Sequence, residues 1–138
     1  MKQLILPDSN IISEIPKVKS CQKVVETYKA NLNRTILAIT VWHELLYGLY
    51  NMPEGKRKKD VENFYKSEVI KLPMRHYTKE CAELHAQIRA KCRSKGKTLS
   101  FSDSQIASIV LFNNATLVTR NVDDFKPIDG LMIENWFE

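Results

Sequence analysis

Ala115-Thr116-Leu117-Val118-Thr119-Arg120-Asn121-Val122-Asp123-Asp124-Phe125 decides how this chain folds. Its first five residues form a short apolar run that reads as a buried strand, and polar and acidic residues follow at once at Asn121, Asp123 and Asp124. Just upstream, Asp103 to Asn113 reads as a helix. Ser102 with Gln105 three residues on is a capping-box pattern, and Ile106, Ala107 and Val110 share a face with Asp103 at i+3, i+4 and i+7. Further upstream the same alternation recurs. Gln3 to Leu6 is a short strand stopped by Pro7, after which Asp8-Ser9-Asn10 caps a helical turn through Glu14 that Pro16 breaks. Lys19 to Asn31 is an amphipathic helix and Ile36 to Ile39 a second strand; Thr40 then caps a helix through Tyr50. Glu54 to Lys66 is a polar helix, Val69 to Leu72 a strand candidate, Thr78 to Arg93 a helix ended by Gly96, and Leu131 to Glu134 a last strand. Strands alternating with helices predict an α/β fold. One domain spans residues 1–138, with a mainly parallel central sheet flanked by helices on both faces.

Composition narrows the function classes. With 43% hydrophobic and 27% charged residues the chain can bury a core, and its longest apolar stretches, such as Ile109 to Phe112, are far too short to span a bilayer. No membrane association is expected. The opening residues meet an acid at Asp8 and lack a long apolar stretch, so a cytoplasmic protein is expected. Three cysteines, an odd number without paired spacing, suit reduced thiols. The four glycines lie too far apart for a phosphate-cradling loop or a dinucleotide fingerprint, and no Gly-x-Ser-x-Gly elbow occurs. The net charge of +5 is uneven: residues 51–100 hold thirteen Lys/Arg against six Asp/Glu, whereas residues 101–138 hold two against six. Such a positive middle suits a polyanion, although solvated helix faces account for either basic cluster alone equally well.

In open α/β sheets ligands bind beyond the carboxyl ends of the strands, and here those positions are acidic. The first strand delivers Asp8, the second delivers Glu44 one turn into its helix, and the Ala115 strand delivers Asn121, Asp123 and Asp124. Asp103 stands at the head of a helix on its inward face, with no Lys or Arg at helical spacing to neutralise it. Each acid alone reads better as a cap or a solvated charge; their shared location at strand ends reverses that and favours a site. Clustered carboxylates repel one another unless a divalent cation sits among them, and hard oxygen donors without nearby Cys or His favour Mg²⁺ or Mn²⁺ over zinc. The rival set Cys81, His85 and Cys92 shares a helix face with Leu84 and Ile88, which makes core packing the better account. Trp42, Tyr47, Tyr50 and Phe64 suit a core or an oligomer interface as well as they suit stacking on bases.

Four segments then resemble one family. They are Leu6-Pro7-Asp8-Ser9-Asn10-Ile11-Ile12-Ser13-Glu14; Ile39-Thr40-Val41-Trp42-His43-Glu44-Leu45-Leu46-Tyr47-Gly48; Asp103-Ser104-Gln105-Ile106-Ala107; and the Ala115 to Phe125 run. In this order they resemble the PIN-domain ribonucleases, and within them the VapC-type toxins, over essentially the whole chain. The resemblance implies a metal-dependent endoribonuclease using Mg²⁺, with Mn²⁺ able to substitute. It implies that Asp8, Glu44 and Asp103 hold the metal, and that the family's fourth acid falls at Asn121 or, as in members sharing the Ala115 phrase, at Asp124. RNA as substrate, a cognate VapB-type antitoxin and a homodimer are also implied, with Lys and Arg of the middle segment and Arg120 holding flanking phosphates. A non-catalytic PIN-like RNA-binding or scaffold protein is the main rival, and a DNA-directed nuclease a third.

Overall fold

The structure is a computed structural model that describes residues 2–138. Ile5–Pro7 forms β1 and Ser9–Ile12 a single helical turn, α1; α2 is Gln22–Ala30. Leu37–Ala38 is β2, followed by α3 (Ile39–Tyr50), α4 (Lys56–Ser67) and β3 (Met74–Arg75). Then come α5 (Lys79–Ser94), α6 (Phe101–Phe112), β4 (Thr116–Val118), α7 (Val122–Phe125) and β5 (Met132–Glu134). Every strand pair is parallel. β4 lies between β1 and β5, and β2 pairs with β3. A bridge between Ile5 and Thr35, with the Ile36 amide donating to the Ile5 carbonyl at 2.9 Å, joins the two parts in the order β3-β2-β1-β4-β5. The chain order reverses between β1 and β4, which is where such sheets open a ligand crevice. Among the described residues no helix is long and apolar enough to cross a membrane.

Burial explains why the central strands read as continuous apolar runs. Side chains along a strand alternate between faces, yet every residue of β1 and β4 is buried, so both faces are covered. Helix α6 supplies much of that cover: Ile106 to Val110 are all buried, including Ser108. The expected inward face of Ile106, Ala107 and Val110 is therefore present. Pro7 does not stop β1 but ends it as a paired residue opposite Val118. The Asp8 amide donates to the Val118 carbonyl at 2.8 Å, so the missing N–H of Pro7 falls on the side away from β4.

Several expected boundaries move. Val69 to Leu72 is not a strand: Val69–Lys71 is a 3₁₀ turn, and the strand begins after Pro73, which holds Leu72 extended. Thr40 does not cap α3, because Ala38 precedes the helix and Thr40 lies in its first turn. The cap of α6 is Ser100 rather than Ser102; its hydroxyl accepts from the Asp103 amide at 3.1 Å. Replacing Ser100 with Ala is expected to cost about 1 kcal/mol, read as a lower midpoint in urea with unchanged slope. Cys81, His85 and Cys92 are buried as core, not as a metal site. Both His85 nitrogens are engaged, Nδ1 with the Tyr77 hydroxyl at 2.7 Å and Nε2 with the Ser104 hydroxyl at 2.8 Å. Burial and the neighbouring Arg89 hold this imidazole below its ordinary pKa.

Candidate active site

The crevice at the β1–β4 reversal is about 670 Å³, roomy enough for an ion together with a stretch of phosphodiester. Asp8, Glu44 and Asp103 all line it, brought together from the ends of β1 and β2 and from the head of α6.

Asp8 is the most constrained of the three. It caps α1 and is only 8% exposed. Its Oδ1 accepts from the Ser9 amide at 2.8 Å, and its Oδ2 accepts from the Thr119 hydroxyl at 3.0 Å and the Asn10 side-chain amide at 3.3 Å. Burial does most to push its pKa up, to about 6; the Ser9 amide and Thr119 hydroxyl pull the other way, and the charges of Glu44 and Asp103 add to the rise. Glu44 is exposed and its Oε2 accepts from the Ser9 hydroxyl at 2.8 Å, so Ser9 ties two of the acids together. Asp103 is half-buried in the first turn of α6, above that helix's apolar face.

None of the ion pairs among the described residues involves these three carboxylates. Nor do the acids close on one another: among the described residues no three His, Cys, Asp or Glu side chains are gathered tightly enough to enclose an ion. Like charges without a counter-ion favour such spacing.

At the fourth position Asn121 and Asp124 lie in different surroundings. Asn121 lines the acidic crevice, whereas Asp124 is exposed on α7 and faces a neighbouring depression together with Arg120, Lys126 and Glu138. Phe125 is fully buried and fixes the inward side of α7, while Asp124 beside it is exposed. Arg120 is exposed, and its guanidinium lies 4.3 Å from the centroid of the Phe137 ring.

Three polar residues matter here that the sequence did not single out. Thr119 donates to Asp8 and accepts from the Asn121 amide at 3.1 Å, and Asn10 accepts from the Arg120 amide at 3.2 Å. The third is Thr40, which lines the crevice with a buried hydroxyl that has no hydrogen-bond partner. An unpartnered hydroxyl beside carboxylates is the position of a ligand donor, since leaving it unpaired costs free energy. Asn10 had a legible signal in the Asp-x-Asn spacing; Thr119 had none at short range.

No family model matches the sequence. The chain is 32% identical over 127 residues to ribonuclease VapC2 of Rickettsia felis, covering 86% of this chain and 91% of that protein. It is 27% identical over 115 residues to the tRNA(fMet)-specific endonuclease VapC of Salmonella typhimurium, covering 83% and 85%. A solved structure of VapBC2 from Rickettsia felis bound to a promoter DNA fragment superimposes with a TM-score of 0.82 at 24% identity, over 96% of this chain and 98% of that one. The relatives are matched over nearly their full length, and the fold carries the acidic crevice at its strand-order reversal, so this chain belongs to the VapC ribonucleases, the PIN-domain toxins of toxin–antitoxin pairs.

Proposed function

We propose that this VapC-type ribonuclease hydrolyses RNA phosphodiester bonds with a divalent cation, Mg²⁺ or Mn²⁺, held by Asp8, Glu44 and Asp103. One observation carries the reading: three carboxylates from three separate elements line one crevice with no cationic side chain paired to them. The donors fit a hard ion, being carboxylate oxygens, the amide of Asn121 and the unpartnered hydroxyl of Thr40; no thiol lines the crevice, although, against expectation, the exposed His43 imidazole borders it. When bound, the cation supplies Lewis acidity to the scissile phosphate and a counter-charge for the leaving oxygen.

The chain's own part is positioning. Ser9, Asn10 and Thr119 fix both oxygens of Asp8, so that carboxylate is aimed before any ligand arrives. Ser9 also restrains Glu44. Asn121 is a neutral donor at the rim and supports the site without adding charge. The test is cleavage of single-stranded RNA by purified protein with Mg²⁺, with Mn²⁺ and with excess EDTA. Turnover in both metals and none in EDTA is expected; full turnover in EDTA overturns the metal reading, and cleavage of DNA alone overturns RNA as substrate.

A VapB-type antitoxin is the proposed partner, as in the VapBC2 assembly. A basic side chain entering the crevice would pair with carboxylates that have no partner of their own. The proposed homodimer draws on Tyr47 and Tyr50, which stand 65% and 55% exposed on α3. Equilibrium sedimentation of the isolated chain is expected to give twice the 16.0 kDa chain mass.

A further inference from the structure

Beside the acidic crevice lies a surface of the opposite character. Phe101 is the first residue of α6, two positions before Asp103, and more than half of it (56%) is exposed. Its ring does not swing freely. The His85 ring packs edge-on against it with centroids 4.8 Å apart, and His85 is itself clamped by Tyr77 and Ser104. The Arg89 guanidinium lies 5.4 Å from the Phe101 centroid.

The cations at the C-terminal end of α5 and in the segment just after it divide between two directions. Lys91 and Lys95 turn to Asp129, at 2.7 and 3.0 Å. Arg89, Arg93 and Lys97 instead surround a cavity of about 500 Å³ whose remaining lining includes Leu99 and no acid. Among the described residues none of these three forms an ion pair. Arg89 and Arg93, four apart on α5, repel one another, and Lys97 beyond the helix end adds a third positive charge to the same cavity, which favours binding an anion over leaving the group unpaired. A rigid exposed aromatic next to unpaired guanidinium groups suits a strand whose bases stack and whose phosphates are charged.

We propose that Phe101 with Arg89, Arg93 and Lys97 forms a single-stranded RNA subsite flanking the carboxylate crevice, where a nucleobase stacks on the Phe101–Arg89 pair and adjoining phosphates lie against the cations. The subsite rests on the RNA-cleaving reading and deepens it. It places the strand across the head of α6, so that the neighbouring phosphodiester reaches Asp103.

Fluorescence anisotropy of a labelled single-stranded oligoribonucleotide, in EDTA so that nothing is cleaved, tests it on the full chain. Phe101→Ala is expected to raise Kd by about 5- to 100-fold, the effect of losing one stacked base. Phe101→Tyr is expected to bind like the parent, and Phe101→Leu, which keeps the packing on His85 but loses the aromatic face, to behave like Phe101→Ala. Arg93→Gln is expected to weaken binding and to flatten the slope of log K against log salt by about 0.7. Lys91→Gln, on the Asp129 side, is expected to bind like the parent. With Mn²⁺ present, KM should rise in Phe101→Leu while kcat holds. A parent protein that cleaves RNA while Phe101→Leu and Arg93→Gln keep its Kd and KM overturns the subsite alone. A parent that binds in a Phe101-dependent way but never cleaves overturns the nuclease reading alone, and one that does neither overturns both.

Discussion

Asp103→Asn is expected to lower RNA cleavage by at least about 10²–10³-fold at saturating Mn²⁺, the scale on which removing one preorganised electrostatic group acts. The substitution keeps the shape of the side chain, and the α6 cap survives because Ser100 binds the residue's amide and not its carboxylate. Loss of turnover without loss of fold therefore isolates the charge. Glu44→Gln should follow the same pattern, since the Ser9 hydroxyl still finds an acceptor at the amide oxygen. Asp124 provides the contrast: exposed and lining the neighbouring depression rather than the crevice, its change to Asn should leave the rate within about twofold, because exposed side chains outside a site have small effects. Asn121→Ala should fall between, with a higher Mn²⁺ midpoint and a partly recovered plateau. Steady-state cleavage across a Mn²⁺ titration separates the four. Undiminished turnover by Asp103→Asn would remove that residue from the site.

Neutralising Asp8 should stabilise the protein while it destroys the activity. In the fold this carboxyl prefers its proton, with a pKa raised from 3.8 to about 6 chiefly by burial and further by Glu44 and Asp103. A group whose folded pKa lies above its unfolded value favours the fold at low pH, and that contribution is lost as pH rises through 6. The ionised carboxylate thus costs on the order of 3 kcal/mol above pH 7, an upper figure because Asn can accept only part of what Ser9 and Thr119 donate. In EDTA at pH 8, Asp8→Asn is expected to melt several degrees above the parent, and the gap should close near pH 4. Millimolar Mn²⁺ should raise the parent's melting temperature and leave the variant's nearly unmoved. Equal melting curves at pH 8 would show that Asp8 is solvated rather than buried among like charges.

The acids are legible in the sequence because fold and charge coincide in the chain: Asp8 follows an apolar run, Asp103 heads a helix and Glu44 lies one turn into the helix after the second strand. Asp8, Glu44 and Asp103 lie in the crevice that this reading implies. What escaped depends on contacts distant in sequence or on single turns. Thr119 looks like the last residue of a strand until its hydroxyl is seen on Asp8. Asp124 sits in an acidic phrase with Asp123, and only the four-residue helix around it shows which way it points. Strand β3, two residues long, has no periodicity to detect. Ser100 and Ser102 are both serines at the start of an apolar run, and only the hydroxyl's contact with the Asp103 amide identifies Ser100 as the cap.

The pairing of β1 with β4 has a consequence in time. Asp8 and Thr119, which share a hydrogen bond, are 111 residues apart. A ribosome adding about 5–20 residues per second spends roughly 5–20 s between them. Throughout that interval β1 lacks the neighbour that receives the Asp8 amide, and the crevice lacks Asn121 and the Thr119 hydroxyl that steadies Asp8. Local helices can form as they emerge, but this long-range parallel pairing closes late. The crevice is therefore among the last parts of the growing chain to be completed.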